Sequence, residues 1–283
     1  RRPPRSTQGV SSAASDVYKR QIGGFGITGT QVGASIASEA DLIIAVGTRL
    51  TDFSTGSQSA FHHSDVRFIG INVAGHDAYK QGALPIIADA REALTELTEA
   101  ARTSNIRPNE KYRVKIKTYQ DAYEKSLQEE IYVDHPGEAM SQAQLIRTLN
   151  EEAQPEAVVI AAAGSPTGDL HRLWDVTTGA ACYLEFGFSC MGWELPAGLG
   201  TRMSGKHDEI FVYIGDGTYL MNPTELMTAI QENLKVTVVI SENHGYQIIR
   251  ALQMARAGRS FGNEFRARDS VSKTLEGEYL EID

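Results

Sequence analysis

The chain has 283 residues, enough for one large or two ordinary domains, and its 41% hydrophobic and 22% charged residues are typical of a globular protein. A net charge of −9 without a basic stripe argues against nucleic acid as a partner, and no apolar run reaches the ~18 residues of a membrane span. The two cysteines, Cys182 and Cys190, lack the spacing of a metal site, and we interpret them as reduced thiols of a cytoplasmic protein.

Residues 1–21 differ from the rest of the chain. They are rich in arginine, serine and proline, show no apolar periodicity, and lack the long apolar core of a signal peptide. We expect this segment to be foreign to the fold or disordered, and we expect the first domain to begin at Ile22.

Residues 22–104 alternate between short apolar runs and helix-forming stretches. The strand candidates are residues 42–46, 68–73 and 84–88, and the helix candidates are about residues 30–39 and 90–102. This alternation predicts a parallel sheet with flanking helices. Gly24 to Gly29 satisfies the GxGxxG pattern of dinucleotide-binding loops. No strand candidate precedes the pattern and no suitable acidic residue follows it, so we interpret the loop as structural.

Residues 105–140 form a charged connector between the two predicted domains. Within it, residues 111–131 are predicted to form a solvated helix with a partial apolar stripe. Acidic side chains balance the basic ones along this helix, so the pattern does not indicate a basic binding patch.

A second α/β domain is predicted over residues 141–283. Ser141 should open its first helix, and residues 158–162 should form its first buried strand. Gly164 and Ser165 then lie at the carboxyl end of that strand, where parallel sheets bind ligands. The expected fold class is therefore α/β, with two parallel-sheet, three-layer domains.

The most informative stretch runs from Gly215-Asp216-Gly217 to Asn243. Residues 210–214 are a short apolar run, and residues 236–240 are β-branched and continuously apolar, as expected of a strand covered on both faces. A helix that connects two such strands makes them parallel. Asp216 and Asn243 each follow one of these strands, so they can converge at the carboxyl edge of the sheet.

The helix between these two strands has its own start signal. Asn222 is predicted to be its N-cap, Pro223 its first residue, and Glu225 its capping-box partner. The unit is therefore predicted to be a strand, a loop, a helix and a strand in chain order.

Oxygen ligands gathered in this way suit Mg²⁺, which prefers an octahedron of hard oxygen atoms completed by phosphate and water. Asp216 offers a carboxylate, Asn243 an amide oxygen, and Gly245 a backbone carbonyl. Gly217 would let the backbone approach a phosphate group closely. The pattern therefore predicts a magnesium–diphosphate site.

The stretch resembles the thiamine diphosphate signature of the decarboxylase and acetolactate synthase superfamily, in which GDG is followed about 27 residues later by Asn. Residues 188–200, FSCMGWELPAGLG, resemble the family stretch that holds the aminopyrimidine ring and supports the thiazolium ring. The resemblance implies that Met191 lies under the cofactor, and that the carbonyl of Ser189 and the amide of Met191 contact the pyrimidine. The cofactor-binding residues that it implies are Gly164, Ser165, Ser189, Met191, Gly215, Asp216, Gly217, Thr218, Asn243 and Gly245. The Mg²⁺ ligands that it implies are Asp216, Asn243 and Gly245.

Several stretches resemble one branch of that superfamily, the hydrolases that open a trihydroxycyclohexane-1,2-dione ring during inositol breakdown. The main ones are AAAGSPTGDLHRLW (161–174), CYLEFGFSCMGWE (182–194), GDGTYLMNPTELMTAIQE (215–232) and LQMARAGRSFGNEFRARD (252–269). The resemblance implies a small-molecule substrate, a cyclic 1,2-diketone whose C–C bond is cleaved with water to give 5-deoxyglucuronate. It also implies a homo-oligomer, because active sites in this superfamily form between two subunits.

The resemblance further implies sequence outside this chain. In the family, an N-terminal pyrimidine-binding domain supplies the glutamate that activates the cofactor, and the diphosphate-binding domain extends further than residue 283. We therefore expect the chain to be a fragment that is inactive alone, and we assign no catalytic residue within it. Glu194 lies in the cofactor stretch, but we interpret it as a structural or substrate-side carboxylate.

Two other interpretations stay open. Another thiamine diphosphate-dependent lyase or transferase, such as an acetolactate synthase-like enzyme, would share the cofactor motif. A non-catalytic, nucleotide-binding Rossmann module would share the α/β fold of the second domain without its chemistry. The central domain carries a flavin in acetolactate synthase, whereas here we expect it to be structural.

Overall fold

The structure, a computed structural model, describes residues 22–107, 109–185 and 187–282. Residues 1–21, which we expected to be foreign to the fold, lie outside this range. The chain divides into two units, one ending at Ile131 and the other beginning at Tyr132. The helix of the predicted connector belongs to the first unit. The finer domain boundaries stay a prediction.

The first unit is built on a three-stranded parallel sheet in the order β1-β2-β3. Its strands are β1 (Leu42–Val46), β2 (Arg67–Ile71) and β3 (Leu84–Ile86). Its helices are α1 (Gln31–Glu39), α2 (Gly75–Ala78), α3 (Ala90–Thr103) and α4 (Glu110–Ser126), with a 3₁₀ turn at Lys80–Gly82 and a π-helical turn at Leu127–Ile131. The three strands and two helices predicted here are confirmed, because each follows a local apolar pattern.

The glycine-rich loop before α1 closes tightly on itself. The Thr30 amide donates to the Gly24 carbonyl at 2.8 Å, and the Thr30 hydroxyl caps α1 by accepting from the Gly33 amide at 3.0 Å. A Cβ atom on Gly29 would lie 2.3 Å from the Cα atom of Phe25. These glycines therefore have a structural use, and no strand precedes them between residue 22 and α1.

The connector helix α4 lies against α1 and has no buried residue. The Tyr119 hydroxyl donates to the carboxylate of Glu39 at 2.9 Å, and Lys115 forms an ion pair with the same carboxylate. The prediction of a solvated helix is confirmed, although the last turn is π-helical rather than α-helical.

The second unit is built on a four-stranded parallel sheet in the order β5-β4-β6-β7. Its strands are β4 (Val158–Ala161), β5 (Ala181–Leu184), β6 (Ile210–Gly215) and β7 (Thr237–Ser241). Its helices are α5 (Gln142–Glu152), α6 (Gly164–Leu173), α7 (Glu194–Met203), α8 (Asp216–Met221), α9 (Glu225–Gln231) and α10 (Gln247–Ala257), with a 3₁₀ turn at Val176–Thr178.

Helices cover both faces of this sheet, so the second unit has three layers. On one face Ile146 of α5 and Leu170 of α6 join a buried apolar cluster with residues of β4 and β6. On the other face Leu195 of α7 joins a second cluster, against which Leu226 of α9 packs. Each residue of β4 is at most 1% exposed, which explains its uninterrupted run of apolar residues.

Three details of the second unit differ from the sequence-based expectation. The strand β5 and the helices α6, α7, α8 and α10 were not predicted, and α8 occupies the segment directly after β6 where we expected a loop. The strand β7 is half-buried rather than covered on both faces, because it forms an edge of the sheet. Asn222 does not cap a helix, since α9 begins at Glu225 and the side-chain amide of Asn222 instead donates to the Gly192 carbonyl at 3.1 Å. The Asn222 side chain thus bonds a residue that is distant in sequence instead of the first turn of the next helix.

Across the residues that the structure describes, no helix combines the length and the apolar character needed to cross a bilayer.

Candidate functional site

A cavity of about 240 Å³ opens in the second unit at the carboxyl ends of three parallel strands. Residues that follow β4, β6 and β7 form most of its walls, and Ser189 and Met191 of the loop after β5 complete them. From β4 the chain moves to β5 on one side, and it returns to β6 on the other side. The connections therefore leave in opposite directions between β4 and β6. Such a switch point is where open α/β sheets bind their ligands.

The structure gathers all ten predicted cofactor-binding residues around this cavity. They are Gly164, Ser165, Ser189, Met191, Gly215, Asp216, Gly217, Thr218, Asn243 and Gly245. They come from four separate segments of the chain, so only the tertiary fold brings them together. Their individual roles in binding stay a prediction.

Asp216 is the most deeply placed charged residue of the site. It follows β6 directly, begins α8, and is 1% exposed. Its Oδ2 atom accepts from the backbone amides of Asn243 and Gly245 at 3.1 and 2.9 Å, and its Oδ1 atom accepts from the Gly217 amide at 2.6 Å. This carboxylate therefore fastens the loop after β7 to the end of β6, as the predicted convergence of the two strands requires.

Asn243 presents a buried amide oxygen to the site. Its Oδ1 atom has no hydrogen-bond partner among the described residues. An unpaired buried acceptor costs about 1–3 kcal/mol, so such an atom calls for a ligand. The Asn243 carbonyl accepts from the Gln247 side chain at 2.9 Å, which helps to hold the loop in this orientation.

Gly245 occupies a backbone position that excludes other residues. Its φ angle is +134°, and a Cβ atom would lie 2.1 Å from the carbonyl oxygen of Asn263. Its carbonyl oxygen accepts from the Gln247 amide at 3.0 Å. One lone pair of the predicted metal-ligating carbonyl is therefore already used, and the second is left for a cation.

Gly217 has a packing role in addition to the expected one, which stays a prediction. We expected it to admit a phosphate group close to the backbone. A Cβ atom here would lie 2.5 Å from the ring of Tyr246, which also lines the cavity. Gly217 is thus needed at least for the packing of that aromatic ring.

The loop that carries Ser189 and Met191 is stabilised by hydrogen bonds to the carboxylate of Glu185. The Oε1 atom of Glu185 accepts from the Phe188 amide at 2.9 Å, and its Oε2 atom accepts from the Cys190 amide at 3.1 Å. Burial raises the pKa of Glu185, but the backbone N–H groups around it outweigh burial and lower this pKa overall. Nothing in the local sequence pattern indicated this contact.

Glu194 connects two walls of the cavity and does not line it. Its Oε1 atom accepts from the Ala163 amide at 3.2 Å, and its Oε2 atom accepts from the Gly192 amide at 3.0 Å. It is 1% exposed, and burial raises its pKa above the ordinary value of 4.5 against the effect of these N–H donors. The structural part of our interpretation of Glu194 agrees with this geometry.

The protein ligands of a cation in this cavity would be oxygen atoms of three kinds: carboxylate, side-chain amide and backbone carbonyl. Among the described residues, no cluster of three or more His, Cys, Asp or Glu side chains could hold a metal. Asp216 is the carboxylate at the cavity, and Asn243 and Gly245 add an amide and a backbone oxygen beside it. This set suits Mg²⁺, which takes few protein ligands and completes its shell with phosphate oxygens and water.

Comparison with known families identifies the class to which these two units belong. Residues 162–275 match the thiamine pyrophosphate enzyme C-terminal TPP binding domain, and residues 4–97 match the thiamine pyrophosphate enzyme central domain. The chain therefore carries the central and the C-terminal domains of the thiamine pyrophosphate (thiamine diphosphate) enzyme family. The cofactor predicted from the sequence and the α/β fold class are confirmed. The central-domain match takes in most of residues 1–21, so it lends no support to our expectation that this segment is foreign.

The chain is also similar to individual curated proteins of one kind. The chain is 35% identical to the 3D-(3,5/4)-trihydroxycyclohexane-1,2-dione hydrolase of Bacillus thuringiensis (strain Al Hakam). It is 36% identical to the hydrolases of the same name from Bacillus cereus (strain AH820) and Bacillus anthracis. Each alignment covers 99% of this chain and 47% of the relative. The chain thus spans about half the length of the curated relatives that it matches.

Proposed function

We propose that the cavity of the second unit binds the diphosphate end of thiamine diphosphate together with Mg²⁺. The observation that carries the proposal is the unpaired, buried amide oxygen of Asn243 beside the buried carboxylate of Asp216. A cation between these oxygen atoms would remove the cost of the unpaired acceptor. The match to a TPP binding domain over residues 162–275 supports the same cofactor.

The walls of the cavity would divide the binding between them. Asp216, Asn243 and Gly245 would hold the cation. The backbone amides at the start of α6, at Gly164 and Ser165, would meet the diphosphate with the positive end of a helix dipole. Met191, which is 38% exposed at the cavity, would give an apolar surface to the ring system. Thiamine diphosphate, when bound, supplies a carbon nucleophile that can attack a carbonyl group.

We also propose that the complete enzyme hydrolyses a C–C bond of a cyclic 1,2-diketone of the trihydroxycyclohexane type. The curated relatives carry the name of that activity, and 99% of this chain aligns with them. The runner-up is another thiamine diphosphate-dependent lyase or transferase, such as an acetolactate synthase-like enzyme.

Calorimetry on this chain tests the binding proposal. Titration with thiamine diphosphate in the presence of Mg²⁺ should give saturable binding that EDTA abolishes, whereas NAD should give none. Binding of NAD without binding of thiamine diphosphate would contradict the proposal and favour a nucleotide-binding module.

Assay of the full-length enzyme tests the substrate proposal. We expect turnover of the cyclic dione and none of pyruvate, each measured with saturating thiamine diphosphate and Mg²⁺. Turnover of pyruvate alone would support the acetolactate synthase-like alternative.

Assembly and compartment are also proposals. We propose a homo-oligomer, which the family resemblance implies. Sedimentation of the full-length enzyme as a monomer at micromolar concentration would contradict it. We propose the cytoplasm as the compartment, since Cys182 and Cys190 are both free thiols.

A further inference from the structure

A group of polar side chains lies behind the cavity, where the first turns of α5 and α6 meet the end of β7. Its members are Gln142, Ser165, Asp169 and Ser241, and each is half-buried. Gln142 is the first residue of α5 and does not line the cavity. The other three residues all hydrogen-bond to it.

Both the oxygen and the nitrogen of the Gln142 side-chain amide form hydrogen bonds. Its Oε1 atom accepts from the Ser241 hydroxyl at 2.8 Å and from the Ser165 hydroxyl at 3.3 Å. Its Nε2 atom donates to the carboxylate of Asp169. A carboxylate can accept but cannot donate, so Asp169 determines which end of the amide faces the two serines.

The two serines belong to two different elements whose neighbouring residues line the proposed cofactor site. Ser165 lies at the start of α6, where the diphosphate would bind. Ser241 ends β7, two residues before Asn243 and the proposed cation site. The contact from Gln142 to Ser241 joins residues that are 99 positions apart. One amide oxygen therefore bridges the start of α6 and the end of β7.

We propose that Gln142 is a positioning residue, which holds the α6 wall and the β7 wall at the spacing that the diphosphate and its cation require. The inference rests on the proposed binding function of the cavity. The amide itself would not touch the ligand, and it would act through Ser165 and Ser241.

Gln144 provides a matched control on the same helix turn. Its side chain completes the capping box with Ser141 and also bonds Asp134, and it contacts neither serine of the cavity walls. Gln142→Ala and Gln144→Ala therefore remove the same atoms from the same turn of α5. Only the first substitution should change the cavity.

Calorimetric titration of the full chain with thiamine diphosphate and Mg²⁺ separates the two variants. Gln142→Ala should weaken binding about tenfold, the equivalent of one or two neutral hydrogen bonds. Gln144→Ala should lower the unfolding midpoint and leave the Kd within about twofold, because its contacts are remote from the cavity. Equal Kd values for Gln142→Ala and the unsubstituted chain would overturn the inference.

An exchange of the two partners tests the geometry. In Gln142→Glu a carboxylate would face Asp169, so binding should weaken at least as much as in Gln142→Ala. Adding Asp169→Asn should restore the hydrogen bonds among these side chains. The carboxylate introduced at position 142 would accept from both serines, and the amide introduced at position 169 would donate to that carboxylate. Recovery of the Kd in the double variant supports the inference, and failure to recover it in a folded double variant contradicts it.

Hydrogen exchange on the cofactor-free chain gives a readout that needs no ligand. Gln142→Ala should speed exchange at the amides of Asn243 and Gly245, which bond Asp216, whereas Gln144→Ala should not. If the unsubstituted chain binds no thiamine diphosphate, the proposed function fails and the inference fails with it. If the unsubstituted chain binds and both variants behave alike in titration and exchange, only the inference fails.

Discussion

Asp216 and Asn243 lie side by side but differ in what they contribute to the unbound protein. Asp216→Ala would leave the backbone amides of Gly217, Asn243 and Gly245 without their acceptor, so we expect a loss of at least about 2 kcal/mol in unfolding free energy. Asn243→Ala removes an oxygen that has no partner among the described residues, so stability should stay within about 0.5 kcal/mol or rise. Both variants should lose Mg²⁺-dependent binding of thiamine diphosphate. Urea unfolding would give the stability of the two variants, and calorimetry would give their binding. A large stability loss in Asn243→Ala would contradict the absence of a hydrogen-bond partner for its Oδ1 atom.

Two carboxylates, the buried Glu194 and the half-buried Glu185, predict opposite trends of stability with pH. Burial raises the folded-state pKa of Glu194 above 4.5, so its contribution is present below pH 4.5 and is lost as pH rises through the raised value. For Glu185 the backbone N–H groups outweigh burial and lower the pKa, so its contribution is present above pH 4.5 and is lost as pH falls. Relative to Glu194→Gln, the unsubstituted chain should lose stability as pH rises from 4.5 through the raised pKa. Relative to Glu185→Gln, it should gain stability as pH rises towards 4.5 and hold it above. Urea midpoints measured in a pH series would show whether the slopes have opposite signs.

The loop after β7 is held by a neighbouring segment as well as by Asp216. The Tyr246 amide donates to the Asn263 carbonyl at 2.7 Å, and the Phe265 amide donates to the His244 carbonyl at 2.9 Å. These bonds form a short antiparallel bridge in which Gly245 faces Glu264. The bridge brings the two backbones so close that only glycine fits at position 245.

Substitution of two glycines should show how much this bridge depends on close approach. Gly258 ends α10 with a φ of +66° and has open space around it, so Gly258→Ala should cost about 1 kcal/mol of unfolding free energy. Gly245→Ala adds a contact of 2.1 Å with a backbone oxygen, so it should cost at least about 3 kcal/mol and weaken Mg²⁺ binding. Unfolding curves of the two variants give the comparison. Equal losses would mean that the bridge can move aside.

The division of the chain into two units places the entire cavity on one side of the boundary. All of its lining residues lie beyond Tyr132, and the second unit has buried clusters on both faces of its own sheet. We expect residues 132–283, expressed alone, to fold and to bind thiamine diphosphate with Mg²⁺ within about threefold of the affinity of the whole chain. Circular dichroism would establish folding and calorimetry the affinity. A folded second unit without binding would show that the site needs the first unit.

Much of the second unit could be predicted because its signals are local. The strands around GDG follow apolar runs, and Ser141 with Gln144 forms the capping box that opens α5. The strand β5 was missed because it has only four residues and lies at an edge of the sheet, where burial is incomplete. The contacts of Glu185 and Gln142 could not be predicted, since a side-chain hydrogen bond across many residues leaves no periodic trace in the sequence.

The sequence by itself determined the type of chemistry. It places an acidic, an amide and a glycine position directly after apolar strands, so that their oxygen atoms can converge at one edge of a sheet as a magnesium–diphosphate site needs. It could not determine the order of those strands. Only the tertiary structure decided that β4 lies beside β6, which brings Gly164 and Ser165 to the same cavity as Asp216. The physical reason is that residue patterns report burial and backbone preference, which are local. Strand order depends on how both faces of the whole sheet are covered by helices through right-handed crossovers.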